Sequence, residues 1–187
     1  RADYNVGNQT EGIVVNLAAG TVTGDPLLTG RDTLRGIEVI NSTYVDDVYV
    51  ATGFTLSNAA SPSVNRGDVI ITPPAGATLS SRAFNEFRAF GGNDKVTGNG
   101  ATRVSFSGMS IENLAGTSVI ATFTAASGGS ARYGLSDGGL GTVAFTGVFA
   151  VDGGLGHDSI SGAAGFQQLR GQYGNDTLRG GAGNDIL

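Results

Sequence analysis

The chain has 187 residues, of which 40% are hydrophobic and 14% charged, with a formal net charge of −5. This length predicts one domain or one elongated unit, and the negative charge argues against nucleic acid and anionic membranes as partners. There is no cysteine, so disulfides, zinc–thiolate sites and thiol nucleophiles are excluded. No apolar stretch approaches the roughly 18 residues of a membrane span, and we expect no transmembrane segment.

Short strand-like segments, bounded by turn residues, follow one another along the first 150 residues. They alternate apolar with polar residues and are rich in valine, isoleucine and threonine, a pattern typical of half-buried strands. No long helical period is visible, so the sequence predicts an all-β fold. The predicted segments are Gly12–Leu17, Asp32–Ile40, Asp46–Val50, Asp68–Thr72, Arg103–Phe106, Ser118–Phe123 and Thr142–Phe145.

From Gly153 to the end, the chain repeats every nine residues. Each block has glycine at its first and fourth places, and leucine or isoleucine at its eighth. Aspartate fills the sixth place, except that Gln167 replaces it in the second block. One apolar residue per block cannot form a core alone, so the blocks must stack and share one. The acid and apolar positions are Asp158 and Ile160, Gln167 and Leu169, Asp176 and Leu178, and Asp185 and Leu187.

The residue types of these blocks predict a cation site. Glycine lets the chain turn sharply with its carbonyls facing into the bend, and the aspartate adds negative charge beside them. Ca²⁺ prefers roughly six to eight oxygen ligands from carboxylates and carbonyls. Because one turn supplies about half of that number, two stacked turns are needed for a complete site.

These blocks resemble the RTX nonapeptide, the calcium-binding repeat of secreted bacterial proteins. The resemblance implies a right-handed parallel β-roll, with two nonapeptides per coil and Ca²⁺ between turns eighteen residues apart. It implies one complete site made of four carbonyls and two carboxylates, from Gly154, Gly156, Asp158, Gly171, Tyr173 and Asp176.

The opposite edge of the roll has a weaker predicted site. The resemblance implies that the uncharged Gln167 there faces Asp185, and we expect the site to be weak or empty. The carbonyls of the same edge belong to Ala163, Gly165, Gly180 and Ala182.

A partial copy of the repeat lies in the middle of the chain. Residues 87–98 match residues 169–180, so that Asp94 takes the place of Asp176, and the resemblance adds Asp94 to the predicted calcium ligands. Asp47, Asp68 and Asp94 are 21 and 26 residues apart, which suggests long early coils. We therefore expect one right-handed parallel β-solenoid, cut from a longer chain. Degenerate coils over residues 1–150 lead into the regular roll of residues 151–187.

The function that the resemblance implies is structural rather than enzymatic. Without metal, the acidic turns repel one another; with calcium, the coils are clamped together, so that metal binding becomes folding free energy. We expect a calcium-binding segment of a secreted or cell-surface bacterial protein, whose partners are calcium and the neighbouring repeats of a longer chain.

The sequence leaves two other functions open. The first is an adhesin or surface-layer module that assembles with itself or binds cell-surface polysaccharide, for which Arg88, Arg170 and Arg179 could form a row. The second is part of a polysaccharide-active enzyme, with Asp46 and Asp47 as an acid–base pair. We favour instead a turn role for Asp47, and the single histidine, His157, excludes a zinc protease site within this sequence.

Overall fold

The computed structural model describes residues 1–5, 7–55, 83–108, 118–135 and 138–187. Within these ranges the chain forms β-strands and no helix, which confirms the all-β prediction. The strands are β1 (Ala2–Asp3), β2 (Val14–Asn16), β3 (Thr21–Thr23), β4 (Arg31–Thr33), β5 (Val39–Asn41), β6 (Val48–Val50), β7 (Asn85–Arg88), β8 (Asn93–Ser105), β9 (Val119–Ala125), β10 (Gly128–Gly134), β11 (Leu140–Asp152), β12 (Ser159–Ser161), β13 (Gln168–Arg170) and β14 (Thr177–Arg179).

The predicted strand segments that fall in these ranges all contain observed strands. Residues 32–40, predicted to carry two strand pieces around a glycine, overlap β4 and β5. Residues 103–106 belong to the longer β8, and residues 142–145 to the longer β11. The predicted segment Asp68–Thr72 lies outside the described residues.

The strands pair in two series, which we call the first and second ladders. The first ladder is parallel throughout and runs β1–β5–β7–β8–β11–β13, using residues 102–105 of β8 and 148–152 of β11. The second ladder runs β4–β3–β2–β6–β8–β11–β10–β9–β12–β14, using the first halves of β8 and β11. These two long strands therefore belong to both ladders and join them.

The second ladder is mixed rather than purely parallel. The pairs β2–β3, β3–β4, β9–β10 and β10–β11 are antiparallel, so the prediction of parallel coils throughout residues 1–150 is wrong there. The physical reason is the length of the connections. Only residues 126–127 separate β9 from β10, and so short a turn joins antiparallel neighbours, whereas a parallel pair needs a long crossover.

The core lies between the two ladders. In the first ladder, Ile40, Phe87, Val104, Val151 and Leu169 are register neighbours, and each is fully buried. In the second, Tyr49 packs against Phe87 of the first, with ring centroids 5.4 Å apart. Alternation of inward apolar and outward polar residues along each strand produces these shared rows.

Two glycines allow β8 and β11 to pass from one ladder to the other. A Cβ on Gly98 would overlap the carbonyl oxygen of Gly147, and a Cβ on Gly147 would overlap that of Gly98. Gly147 also has a φ of 65°, in the region that side chains disfavour. β8 and β11 can thus lie side by side at this bend only because neither residue has a side chain.

Replacing Gly147 by alanine should destabilise the fold more than the same change at Gly138. Both have positive φ, but a Cβ on Gly138 meets nothing within 4 Å. We expect Gly138→Ala to lower the free energy of unfolding by about 1–2 kcal/mol, and Gly147→Ala to lose roughly 1–3 kcal/mol more through overlap. Urea unfolding in calcium-containing buffer measures both; equal losses would contradict the close packing of these coils.

Candidate metal centre

Asp158, the aspartate of the first nonapeptide, is buried and accepts hydrogen bonds from backbone N–H groups. Asp158 is 2% exposed, and its two carboxylate oxygens accept hydrogen bonds from Val119 N at 2.7 Å and Gly154 N at 2.8 Å. Burial raises the pKa of Asp158, the two backbone N–H groups oppose that rise, and the charge of Asp176 adds to it. A cation beside these carboxylates would therefore stabilise their charged forms.

The turn eighteen residues later stacks directly on the first. Asp158 N donates to Asp176 Oδ1 at 2.9 Å, and Thr177 N donates to Asp158 O at 2.8 Å. The side chain of His157 also joins the turns, since its Nδ1 accepts from Asn175 N at 2.8 Å. The nine-residue pattern does not predict this bond.

Glycines let the two turns bring their oxygen atoms together. A Cβ on Gly153 would overlap Asp158 Oδ2 and lie 2.6 Å from Gly171 O. A Cβ on Gly174, whose φ is 116°, would overlap Gly156 O. The space that side chains would fill is thus lined by carboxylate and carbonyl oxygens, and this donor set fits Ca²⁺.

The structure shows which atoms of the predicted ligand residues already have other contacts. Gly154 O accepts a hydrogen bond from Tyr173 N at 3.1 Å, so this carbonyl already joins the two turns. The Tyr173 side chain is 70% exposed, which leaves its carbonyl as the predicted donor. Among the described residues, no three His, Cys, Asp or Glu side chains cluster into a metal site. Calcium would therefore depend largely on backbone carbonyls here, and the ligand roles stay predictions.

On the opposite edge, Gln167 occupies the place of the turn acid and is fully buried. Its N–H donates to Asp185 Oδ1 at 2.8 Å, the same contact that Asp158 makes with Asp176. Its side-chain Nε2 donates to Ala126 O at 3.0 Å and Ala164 O at 3.1 Å. An amide N–H₂ thus supplies donors to carbonyls inside the turn, which is consistent with the predicted weak or empty site.

Asp94 has the same position in its turn as Asp176. Asp47 N donates to Asp94 Oδ1 at 2.9 Å, and both aspartates are buried, at 1% and 3% exposure. Asp47 accepts from Ile13 N and Thr43 N, each at 2.7 Å, and is a turn acid. Asp47 and Asp94 therefore lie in adjacent turns, and the predicted early coils of 21 and 26 residues are wrong, because no intervening turn separates them.

The predicted row of Arg88, Arg170 and Arg179 is also wrong. Arg170 and Arg88 lie on the first ladder, where Arg170 Nη1 is 3.9 Å from Asp152 Oδ2 and Arg88 pairs with Glu86. Arg179 lies on β14 in the second ladder. Successive nonapeptides alternate between the ladders, so their equivalent positions do not share one face.

The comparison with protein families identifies the last part of the chain. Residues 152–187 match the family model for the RTX calcium-binding nonapeptide repeat, in four copies. Over these residues the chain is similar to an RTX repeat array, and we call them the RTX array. RTX repeats bind calcium ions, and residues 1–151 lie outside the match. No curated protein sequence matches the chain. None of the described segments forms a helix long and apolar enough to cross a membrane.

Replacing Gln167 by aspartate should create an additional calcium site. In chelator, Gln167→Asp should be less stable than wild type, because Ala126 O and Ala164 O lose their donors, at about 1–3 kcal/mol each. With calcium, native mass spectrometry should count one more bound ion than in wild type. The control is Asn16→Asp, which adds the same charge at the exposed end of β2 and should add no ion. An unchanged ion count in Gln167→Asp would contradict this account of the edge.

Proposed function

We propose that this chain is a calcium-stabilised β-roll segment of a secreted or cell-surface bacterial protein, in which calcium holds stacked turns together. The two ladders are proposed as the two faces of right-handed coils. The observation that carries the proposal is the stacked pair Asp158 and Asp176 inside the RTX array. Calcium would neutralise the two carboxylates and hold the carbonyls of both turns.

The need for calcium follows from the thin core of the last coils. Ile160 and Leu169 are fully buried, Leu178 is partly buried, and Leu187 is 62% exposed. Metal binding adds free energy of folding where apolar burial is small. Extracellular calcium modules bind at roughly 10⁻⁴–10⁻³ M, so such a segment would become stable only outside the cell.

The proposal is of a structural role, without catalysis. Asp46 and Asp47, the candidate acid–base pair of an enzyme, both accept hydrogen bonds from backbone N–H groups. Asp46 Oδ1 accepts from Asn93 N at 2.7 Å, and Asp47 is buried in its turn. These contacts support a structural role in the turn for both acids rather than acid–base catalysis on a glycan.

Replacing Asp176 by asparagine should weaken calcium binding while preserving the turn. The amide oxygen can still accept from Asp158 N, but the negative charge is lost. Since changing even an outer-shell partner costs about 10- to 100-fold in metal affinity, we expect at least that loss by isothermal titration calorimetry. Calcium should also raise the melting temperature less than in wild type. Glu11→Gln, an exposed acid, is the control; equal affinities for both variants would contradict the proposal.

A second candidate function, binding of an acidic polysaccharide, is favoured by a row of cations on the outer face of the second ladder. Register neighbours on ten strands form this cationic row, and three of them are exposed cations: Arg31, Lys95 and Arg179. The row consists of Arg31, Thr23, Val14, Val48, Lys95, Ala144, Ser130, Thr122, Ser161 and Arg179.

The cationic row contains no acid, although the chain as a whole is negative. Arg31, Lys95 and Arg179 form no ion pair with any described residue. Arg132, exposed two residues from Ser130 on β10, adds a fourth cation to this face. At about 4.8 Å per strand the row is roughly 40 Å long, which suits an extended chain with repeated carboxylates.

Removing two cations from this row should weaken polysaccharide binding. Hyaluronan, a uronate polymer, is the probe, and neutral dextran is its control. We expect Lys95→Ser with Arg179→Ser to lower hyaluronan affinity about tenfold, corresponding to about 1.4 kcal/mol, with binding that weakens as salt rises. Arg1→Ser with Arg35→Ser changes the net charge equally and should have little effect. Equal binding by both double variants would remove this candidate.

A further inference from the structure

Among the described residues, five buried side-chain oxygen atoms outside the RTX repeats have no hydrogen-bond partner. Two of them are Asp94 Oδ2 and the phenol oxygen of Tyr133, on residues only 3% and 1% exposed. Buried polar atoms in native proteins nearly always have a partner, so each unpaired atom requires an explanation. These two belong to different elements, β8 and β10.

Glycine places the Tyr133 ring near the turn acids. Tyr133 on β10 is the register neighbour of Gly141 on β11, and a Cβ on Gly141 would lie 2.7 Å from the phenol oxygen. The ring therefore crosses β11, whose next residues pair with Asn93 and Asp94 on β8. The phenol oxygen thus lies over Gly141, beside the residues of β11 that pair with Asn93 and Asp94.

The negative charge at this place has no cationic partner. Asp94 accepts one hydrogen bond, from Asp47 N to Oδ1, and its Oδ2 has no partner. None of the three aspartates forms an ion pair with any described residue. Asp47 has both oxygens occupied by Ile13 N and Thr43 N. It can therefore contribute charge, while Asp94 Oδ2 stays available as a ligand.

Backbone carbonyls approach the same turn. A Cβ on Gly91 would lie 2.6 Å from Tyr44 O, and a Cβ on Gly92 would lie 2.5 Å from Val45 O. The turn that carries Asp94 thus packs directly on the carbonyls of the turn before it. One free carboxylate oxygen, a phenol oxygen and nearby carbonyls are the hard oxygen donors that Ca²⁺ prefers.

We infer that Asp94 Oδ2 and the Tyr133 phenol hold a calcium ion at a site separate from residues 152–187. The negative charges of Asp47 and Asp46 favour a cation at this place over a water molecule. A water molecule could bridge the two oxygens, but it would not neutralise the carboxylates. The ion would connect the antiparallel β9–β10 insertion to the coils that carry β6 and β8. It would therefore stabilise a part of the chain that has no complete nonapeptide.

The first test compares Asp94→Asn with Asp176→Asn. Asparagine at position 94 keeps an oxygen that can accept from Asp47 N, but it removes a buried charge. In chelator, Asp94→Asn should melt at a higher temperature than wild type; in saturating calcium, it should melt at a lower one. Native mass spectrometry should count one bound ion fewer than in wild type. An unchanged ion count, or higher stability in both conditions, overturns the inference in favour of a buried acid that binds no metal.

Asp176→Asn separates this site from the proposed function. It should lose an ion of the repeat array while keeping the ion bound by Asp94, and the double variant should lose both. If Asp176→Asn alone retains every ion, the proposed function fails. If Asp94→Asn alone retains every ion, only the present inference fails.

Tyr133→Phe provides a test that does not depend on the folding of Asp94→Asn. It removes a single oxygen and leaves the ring packed against Phe106, with centroids 4.9 Å apart. We expect Tyr133→Phe to bind the Asp94-dependent calcium ion at least tenfold more weakly, by calorimetry on the Asp176→Asn background. It should also lose part of the tyrosine-sensitised terbium emission. Unchanged calcium affinity would overturn the phenol as a ligand and, with it, the site.

Discussion

The structure depends on aspartates whose carboxylates accept an N–H from a neighbouring turn. Asp47 receives an N–H from Ile13, Asp94 from Asp47, Asp158 from Val119, and Asp176 from Asp158. Each bond fixes the position of one turn on the next, because a shift of one residue would remove the donor. Asp47, Asp94 and Asp158 are buried; burial of carboxylates is unfavourable, and N–H donors offset only part of that cost. Under the proposed function, calcium offsets the rest at the turns of the RTX array.

Different interactions offset the cost of burying these carboxylates in the two parts of the chain. Before residue 150, aromatic side chains fill the space between the ladders, with Phe123 and Phe145 at 5.0 Å and Phe106 and Tyr133 at 4.9 Å between centroids. Within residues 152–187, Ile160 and Leu169 are the fully buried apolar side chains, and the rest are at least partly exposed. Apolar burial therefore stabilises the part of the chain before residue 150, whereas under the proposed function the RTX array depends on calcium ions between its turns. Under the same proposal, the amide donors of Gln167 take the place of an ion on one edge.

Much of the RTX segment could be predicted from the sequence because its period is strict. The inward Leu169, the stacked pair Asp158 and Asp176, and the exception at Gln167 all follow from position within the nine residues. The partial copy around Asp94 was found in the same way. The antiparallel β9–β10 pair could not be predicted, since its strands have the same alternation as parallel ones and only the short connection distinguishes them.

Other features depend on contacts between residues far apart in sequence. Asp47 and Asp94 lie in adjacent turns although 47 residues separate them. The spacing of acids in the sequence does not predict this contact. The cationic row can be recognised only once the register of the ten strands is known, because its cations share no sequence motif. The position of the Tyr133 phenol depends on the absence of a side chain at Gly141, and the sequence alone does not show that these two residues are neighbours.

We propose that calcium stabilises the RTX array while apolar packing stabilises the strands before it. Residue-resolved amide hydrogen exchange, in calcium and in chelator, can separate the two contributions. We predict that the N–H groups of Asp158 and Thr177 become strongly protected only with calcium, while those of Val104 and Val151 in the first ladder are protected in both conditions. Full protection of Asp158 and Thr177 in chelator would contradict the account, because the stacked turns would then be stable without the ion.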